Sequence, residues 1–179
     1  MSKKILIVDD ERNIRTTLKM CLSGEGYEID TAVNGEDGLE KAEKNKYDLI
    51  FLDIKMPGIN GMEVLEELRN KENNSNIIIM TAYGTIEDAV KAMKLHAVDF
   101  VPKPFTPEEI RETTKKVFER ENLEESKLRT FEDYVEFAKL NIITNNFEKA
   151  EEILKQAASK DLSSPATYNL LGVISEYKG

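Results

Sequence analysis

The sequence predicts an α/β fold from residue 4 to about residue 118, with a doubly wound parallel sheet covered by helices on both faces. Short β-branched or apolar runs alternate five times with amphipathic segments long enough to form helices. The third and fourth runs are apolar on consecutive residues, which is typical of central strands buried on both faces. Capping patterns also occur where the helices are expected to begin.

The predicted strands and helices follow one another without interruption. We assign strands to the runs Ile5–Val8, Tyr27–Val33, Asp48–Leu52, Asn76–Met80 and Val98–Val101. We assign helices to residues 11–23, 36–45, 61–71, 85–95 and 107–120. The second run, YEIDTAV, mixes polar and apolar residues, so we place it near an edge of the sheet.

Three of these helix starts carry an N-cap residue followed three positions later by an acidic residue. The pairs are Asn60 with Glu63, Thr85 with Asp88, and Thr106 with Glu109. Such a pair can satisfy backbone N–H groups that have no partner inside the helix. Pro107 stands at the first helical position, where its missing N–H costs nothing. These signals support the predicted helix boundaries.

The composition changes after Phe118. The stretch ERENLEESKLR is rich in charge and predicts a solvated helical linker over residues 121–130. Three further helices are predicted beyond it, at residues 131–143, 147–160 and 165–177. The chain therefore divides into a first domain at 1–120, the linker, and a small all-α segment at 131–179.

The first and third of these later helices match each other at an offset of 34 residues. The match pairs Tyr134 with Tyr168, Phe137 with Leu171, Ala138 with Gly172, and Asn145 with Gly179. Paired helices with this period resemble the tetratricopeptide repeat. The segment departs from that family because 138 is not glycine and positions 141 and 175 are not aromatic. Chance similarity between two amphipathic helices is the alternative. The resemblance implies a protein or peptide partner. Such arrays usually need at least three repeats, so we expect the native chain to be longer; completion of the three helices by the linker or by a second copy is the alternative.

Charge and cysteine usage narrow the class of protein. A formal net charge of -9 disfavours a bare nucleic-acid binder, which needs clustered Lys and Arg. The single cysteine, Cys21, lies on an apolar helix stripe and excludes an internal disulfide, so we expect a packing residue in a reducing compartment. No apolar run is long enough to span a membrane, and no signal peptide is recognisable. We therefore expect a cytoplasmic protein with neither a nucleic-acid nor a membrane partner.

Polar side chains follow the strands at one edge of the predicted sheet. They are Asp9 and Asp10 after the first strand, Asp53 after the third, Thr81 after the fourth and Lys103 after the fifth. Ligands of parallel α/β sheets bind outside the carboxyl ends of the strands. Each residue alone has an ordinary explanation; Asp10, for instance, is a reasonable helix N-cap. Together, three converging carboxylates repel each other unless a cation lies among them, and all-oxygen ligands suit Mg²⁺.

Four motifs identify what this edge resembles. The stretches ILIVDDE, DIKMPGING, IIIMTAYG and DFVPKPF occur in this order, each at the end of a predicted strand. Residues 4–120 resemble the response-regulator receiver domain, the phospho-acceptor module of two-component signalling. The resemblance implies a flavodoxin-like five-stranded parallel sheet with the strand order 2-1-3-4-5. It covers about two thirds of the chain.

The resemblance also implies residue roles. Asp53 is the expected nucleophile, which takes a phosphoryl group from the phosphohistidine of a sensor histidine kinase or phosphotransfer protein. The implied ligands of Mg²⁺ or Mn²⁺ are Asp9, Asp10, Asp53 and the backbone carbonyl of Lys55. Lys103 is expected to pair with a phosphoryl oxygen, and a cis peptide bond is expected between Lys103 and Pro104.

Further implied roles concern switching and rate. Thr81 is expected to hydrogen-bond the phosphoryl group, and Phe100 is expected to follow it inward. Lys55 and Tyr83 stand two residues after Asp53 and Thr81, where side chains modulate access of the hydrolysing water. Because both are bulky, we expect slow self-dephosphorylation.

Two further expectations concern His96, where the sequence departs from the family, and the surface around the fourth helix. His96 stands where the family usually has Gly, at a position that often needs a positive φ, so we expect a strained or shifted loop there and not a second phosphate carrier. The surface of the fourth helix, fifth strand and fifth helix is expected to respond to phosphorylation. Lys91, Asp99 and Arg111 on that surface are able to make charged contacts in a homodimer, although simple solvation is the alternative.

Other function classes remain to be weighed. An aspartate-nucleophile phosphatase usually carries a second acid two residues after the nucleophile, and that position is Lys55 here. A transcription regulator whose DNA-binding domain is absent from this chain is the main alternative. A receiver that has lost its chemistry and serves only as a scaffold is disfavoured by the intact acidic set. We therefore predict a phospho-acceptor signalling domain and not an enzyme acting on an external substrate.

Overall fold

The computed structural model describes residues 2–82, 86–120, 128–143, 146–160 and 164–178. The chain forms two compact units, Met1–Thr114 and Lys115–Gly179, whose boundary falls within the fifth helix.

The first unit is a five-stranded parallel sheet with helices between the strands. The strands are β1 Lys4–Val8, β2 Glu28–Ala32, β3 Leu49–Asp53, β4 Asn76–Thr81 and β5 Asp99–Pro102. Their order is β2-β1-β3-β4-β5, and all four pairings are parallel. The predicted α/β fold and strand order are confirmed, and each strand end lies within one residue of its prediction.

The helices also lie close to their predicted positions. They are α1 Arg12–Ser23, α2 Gly35–Lys44, α3 Gly61–Asn70, α4 Ile86–Lys94, α5 Pro107–Arg120, α6 Phe131–Ile143, α7 Phe147–Lys160 and α8 Pro165–Lys178. The Asn60–Glu63 capping box is present at α3. Thr106 and Glu109 exchange the same kind of hydrogen bonds at α5. Thr85, the third predicted cap, lies outside the described residues.

The N-terminus of α1 shows that Asp10 is not an N-cap residue. Glu11, not Asp10, occupies the N-cap position, and its side chain makes no capping hydrogen bond. Asp10 therefore does not act as the helix cap that the sequence allowed.

The sheet core consists of fully buried aliphatic side chains on β1, β3 and β4. Desolvating these side chains stabilises the fold and holds the three strand ends rigidly. In the register, Val8 lies beside Leu52, and Thr81 beside Pro102. Asp53 at the end of β3 and the residues that follow β1 and β5 consequently lie at one edge of the sheet.

Local backbone and packing predictions are confirmed in the first unit. His96 has φ 58°, and the Lys103–Pro104 bond is cis. Cys21 is buried in α1 as a packing residue. Among the helices that the structure describes, none is long and apolar enough to cross a bilayer.

The second unit contains α6, α7 and α8, which pack on one another. Their shared core is aliphatic and rich in small residues: Val135, Ala138, Ile142, Ala150, Ile153, Leu154, Ala157, Leu170, Val173 and Ile174. The three helices occur as predicted, whereas their assignment to a repeat family stays a prediction. Residues 128–130 are not helical, so the predicted helical linker does not extend through them, and residues 121–127 lie outside the described part of the chain.

Candidate functional site

Asp53 ends β3 in the centre of the sheet and is only 4% exposed. The chain beyond it is held by backbone bonds: the Ile54 N–H donates to the Met80 carbonyl at 3.0 Å, and the Gly61 N–H donates to the Ile54 carbonyl at 2.9 Å. A Cβ on Gly61 would lie 2.0 Å from the Asp53 carbonyl oxygen. Only glycine permits this close approach, so the start of α3 lies directly against the strand end.

Three carboxylates meet at this edge, as the sequence predicted. One carboxylate oxygen from each of Asp9, Asp10 and Asp53 lies within 4.8 Å of the other two. Asp9 is fully buried and Asp10 is exposed, so the group opens to solvent on one side. The donor set consists of oxygens only, with an open side for water, which fits a hard cation such as Mg²⁺.

Lys103 lies between two of these carboxylates. Its Nζ is 2.7 Å from Asp9 Oδ2 and 3.0 Å from Asp53 Oδ1. Burial alone would lower the pKa of Lys103, but hydrogen bonds to Asp9 and Asp53 outweigh burial and raise it above its usual value. The ammonium is thus held in its charged form inside the site.

Burial dominates the protonation of the two enclosed acids. Desolvation raises the pKa of Asp53 to about 6, although the hydrogen bond and positive charge of Lys103 pull in the opposite direction. Desolvation likewise raises the pKa of Asp9, against the hydrogen bond from Lys103 and one from the Glu11 backbone N–H. One ammonium therefore does not fully compensate these carboxylates, and a further cation is electrostatically favoured.

Arg15 is a site residue that the sequence reasoning missed. Its guanidinium donates to the backbone carbonyls of Asp9 at 2.7 Å and Asp10 at 2.8 Å. The hydrogen bonds hold the turn that carries both acids. The available signal was a basic residue five positions after Asp10, but a lysine or arginine at such a position is common on solvated helices.

The other predicted site residues take different positions. Thr81 is 1% exposed at the end of β4, and its carbonyl accepts a 2.7 Å hydrogen bond from the Lys103 N–H. Phe100 is half-buried against the sheet core. Lys55 is exposed on the loop after β3. Tyr83 lies outside the described residues.

Comparison with known proteins agrees with this geometry. The family model of the response regulator receiver domain matches residues 5–115. The chain belongs to this family. Receiver domains are signalling modules that interact with histidine kinases or phosphotransfer proteins, and they bind Mg²⁺ at an acidic pocket.

Three relatives illustrate the extent of the similarity. The Bacillus subtilis alkaline phosphatase synthesis transcriptional regulatory protein PhoP is 34% identical over 183 residues, covering 100% of this receiver-containing chain and 74% of PhoP. Sporulation initiation phosphotransferase F of the same organism is 40% identical over 116 residues, covering 65% of this chain and 94% of its own length. The crystal structure of the Thermotoga maritima response regulator TrrA, in complex with Mg(2+)-BeF, is 48% identical with a TM-score of 0.59, covering 64% of this chain and 98% of TrrA.

Proposed function

We propose that this receiver accepts a phosphoryl group on Asp53 from a sensor histidine kinase or phosphotransfer protein, in a reaction that depends on Mg²⁺ or Mn²⁺. The observation that carries the proposal is the buried Asp53 carboxylate, with Lys103 at 3.0 Å and two further carboxylates in the same cluster. This combination supplies a nucleophile, a fixed positive charge and a set of cation ligands at one point.

The proposed cation ligands are Asp9, Asp10, Asp53 and the backbone carbonyl of Lys55. When bound, the cation supplies positive charge that offsets the negative charge of the phosphoryl group during its transfer. The fully buried Asp9 fixes one side of this ligand set, and Arg15 holds the turn that joins Asp9 to Asp10. The structure of TrrA in complex with Mg(2+)-BeF supports a Mg²⁺ site in this receiver.

The covalent step joins one Asp53 oxygen to phosphorus. As the new O–P bond forms, the P–N bond to the donor imidazole breaks, and its electron pair goes to the ring nitrogen, which then takes a proton from solvent. Because the pKa of Asp53 is about 6, its carboxyl group is ionised in most protein molecules at pH 7 and is able to attack phosphorus. Lys103 shifts one of its hydrogen bonds from Asp53 to a phosphoryl oxygen.

The response then spreads from the site. Thr81, buried at the end of β4, turns its hydroxyl to a phosphoryl oxygen, and Phe100 moves inward beside it. The surface of α4, β5 and α5 changes with them, and Lys91, Asp99 and Arg111 make charged contacts in a homodimer. At present Arg111 pairs with Glu108 at 2.9 Å on its own helix, so dimer formation would compete with this pair.

We place the other predictions in the same scheme. Residues 1–120 are the receiver and 121–130 the linker; 131–179 form a tetratricopeptide-like segment that binds a protein or peptide. The protein acts in the cytoplasm.

Lys55 and Tyr83 restrict the hydrolysing water, so phospho-Asp53 decays slowly. A half-life as short as that of fast-cycling motility regulators would refute the rate proposal.

Labelling with a small-molecule phosphodonor tests the central assignment. Acetyl phosphate with Mg²⁺ should add one phosphoryl group, visible in the intact mass and removed by hydroxylamine. Asp53→Asn should abolish the addition, and chelation by EDTA should do the same. Asp48→Asn is the matched control, since Asp48 directly precedes the same strand at its opposite end. Equal labelling of the wild type and Asp53→Asn would disprove the proposal.

A transcription regulator whose DNA-binding domain is absent from this chain is the second candidate. The 34% identity to PhoP extends over the whole chain, and PhoP is named a transcriptional regulatory protein. Because this candidate places the DNA-binding domain outside residues 1–179, selection of DNA fragments from a random pool, with and without phosphorylation, has to use the full-length product of the gene. Enrichment of a defined sequence that depends on phosphorylation would favour this candidate over a protein-binding output.

A further inference from the structure

The loop between β3 and α3, residues 54–60, lies on the first turn of α2. Gly35, the first residue of α2, is buried beneath it. A Cβ at position 35 would lie 2.6 Å from Ile59 Cγ1 and 2.7 Å from the Ile59 carbonyl oxygen. Contacts this short do not occur in real structures, so the loop approaches α2 as closely as it does only because residue 35 is glycine.

Glu36, the next residue of α2, adds a polar contact to the same part of the loop. Its Oε1 accepts a hydrogen bond from the Ile59 N–H at 3.2 Å. A Cβ on Gly58 would lie 2.5 Å from this oxygen, and Gly58 has φ 81°, which favours glycine in its own right. The carboxylate therefore lies directly over the Gly58–Ile59 turn.

The loop is held at its stem as well as at its tip. At the stem, the Gly61 N–H donates to the Ile54 carbonyl, and the Asn60 side chain caps α3. At the tip, the two contacts come from α2. Lys55 lies between the stem and the tip, and Met56 beside it is buried. The Lys55 backbone thus lies in a segment that is attached on both sides.

We infer that Glu36 is a positioning residue for the cation site: through the Ile59 N–H it holds the loop that carries the Lys55 carbonyl, the fourth proposed cation ligand. The inference rests on the proposed Mg²⁺-dependent phosphorylation of Asp53. Glu36 itself contacts neither the cluster nor the phosphoryl group. Its effect is to order the loop before the cation binds, which spares the binding step an entropy cost.

Three variants separate the hydrogen bond from the charge. Glu36→Ala removes both, Glu36→Gln keeps an acceptor oxygen without charge, and Glu40→Ala removes an exposed carboxylate one turn further along α2. Calorimetric titration of the full chain with Mg²⁺ should show about threefold to tenfold weaker binding for Glu36→Ala, the size of one ordinary hydrogen bond. Glu36→Gln and Glu40→Ala should bind Mg²⁺ like the wild type.

Two readouts other than affinity complete the test. Hydrogen exchange at the Ile59 amide should be faster in Glu36→Ala and unchanged in Glu36→Gln. With acetyl phosphate, Glu36→Ala should need more Mg²⁺ for half-maximal labelling but reach the wild-type rate at saturation. Denaturant unfolding of each variant excludes a global loss of stability as the cause.

The possible failures are distinct. Wild-type affinity and wild-type Ile59 exchange in Glu36→Ala would overturn the inference and leave the proposed function intact. Equal weakening in Glu36→Ala and Glu36→Gln would also overturn it, because charge and not the hydrogen bond would be responsible. A wild-type protein that neither binds Mg²⁺ nor labels on Asp53 would remove the proposed function and the inference together.

Discussion

The Lys103 ammonium lies 3.0 Å from Asp53 Oδ1, although β4 separates their two strands in the sheet. The same nitrogen contacts Asp9 at 2.7 Å, so one cation bridges the ends of β1 and β3. All three groups are nearly inaccessible to solvent. A change in the charge of any one of them therefore alters the free energy of the other two.

Removing the Asp53 charge should stabilise the cation-free protein at neutral pH. The folded-state pKa, about 6, lies above the ordinary value of 3.8, so the stability that this group contributes is present below pH 3.8 and lost as the pH rises through 6. Asp53→Asn should then be more stable than the wild type by about 3 kcal/mol at pH 7, and the difference should vanish near pH 4. Urea unfolding in EDTA at both pH values measures it.

Asp48→Asn should instead lower the free energy of unfolding at neutral pH. Burial would raise the pKa of Asp48, but hydrogen bonds from the Lys4 backbone N–H and the Lys3 ammonium outweigh burial and lower it. Its contribution is present above the unfolded pKa and lost as the pH falls through the folded pKa. Because the side chain is 36% exposed, the loss at pH 7 should be at most about 1 kcal/mol. A gain in stability would contradict the assigned direction.

Lys103→Met should destabilise the protein by about 3 kcal/mol at pH 7, because it leaves two buried carboxylates without their common partner. The loss should shrink at low pH, where both acids are protonated. Combining Lys103→Met with Asp53→Asn should recover part of the loss, and a double-mutant cycle in urea measures this coupling. Strictly additive effects would show that the two residues do not interact.

Mg²⁺ should raise the melting temperature of the wild type, because it binds the folded cluster and not the unfolded chain. The free energy of unfolding should increase by about 2.7 kcal/mol when the Mg²⁺ concentration is about a hundred times the dissociation constant, and this increase is the gain that the variants test. Asp10→Asn should lose most of this gain without unfolding, since Asp10 is exposed. Glu40→Gln removes an exposed charge on α2, outside the cluster, and should keep the gain. Sodium chloride of equal ionic strength controls for screening.

Gly61→Ala should destabilise the protein by about 2 to 3 kcal/mol, since the new Cβ would meet the Asp53 carbonyl oxygen at 2.0 Å. The matched control is Gly24→Ala: Gly24 has a helical φ of -76°, and a Cβ there meets nothing within 4 Å. That variant should be neutral or more stable by up to about 1 kcal/mol. Thermal and urea unfolding compare the two, and equal effects would refute the close approach at Gly61.

Much of the fold could be predicted because its signals are local. The apolar runs, the Asn60 and Thr106 caps and the positive φ at His96 each depend on a few neighbouring residues, and each was found as predicted. The linker was less tractable. Its charge pattern suits a solvated helix, yet residues 128–130 are not helical and Leu128 is buried.

The candidate site, like the fold, could be predicted only in part from the sequence. That Asp9, Asp10 and Asp53 would meet followed from their places at parallel strand ends. The parts played by Arg15, Gly35 and Glu36 did not follow, because each acts on a backbone group of another segment. Their spacing along the chain resembles that of ordinary helix residues.

By itself, the sequence determined which segments are strands and helices, the parallel sheet, and the identity of the acids and the lysine at its edge. The periodicity of side chains and the chemistry of caps are properties of short segments, so they can be read without the fold. Only the tertiary structure decided that Lys103 bridges Asp9 and Asp53, that burial raises the pKa of Asp53, and that α2 holds the loop after β3. Desolvation and hydrogen-bond distance depend on how remote segments pack, and no local pattern encodes them.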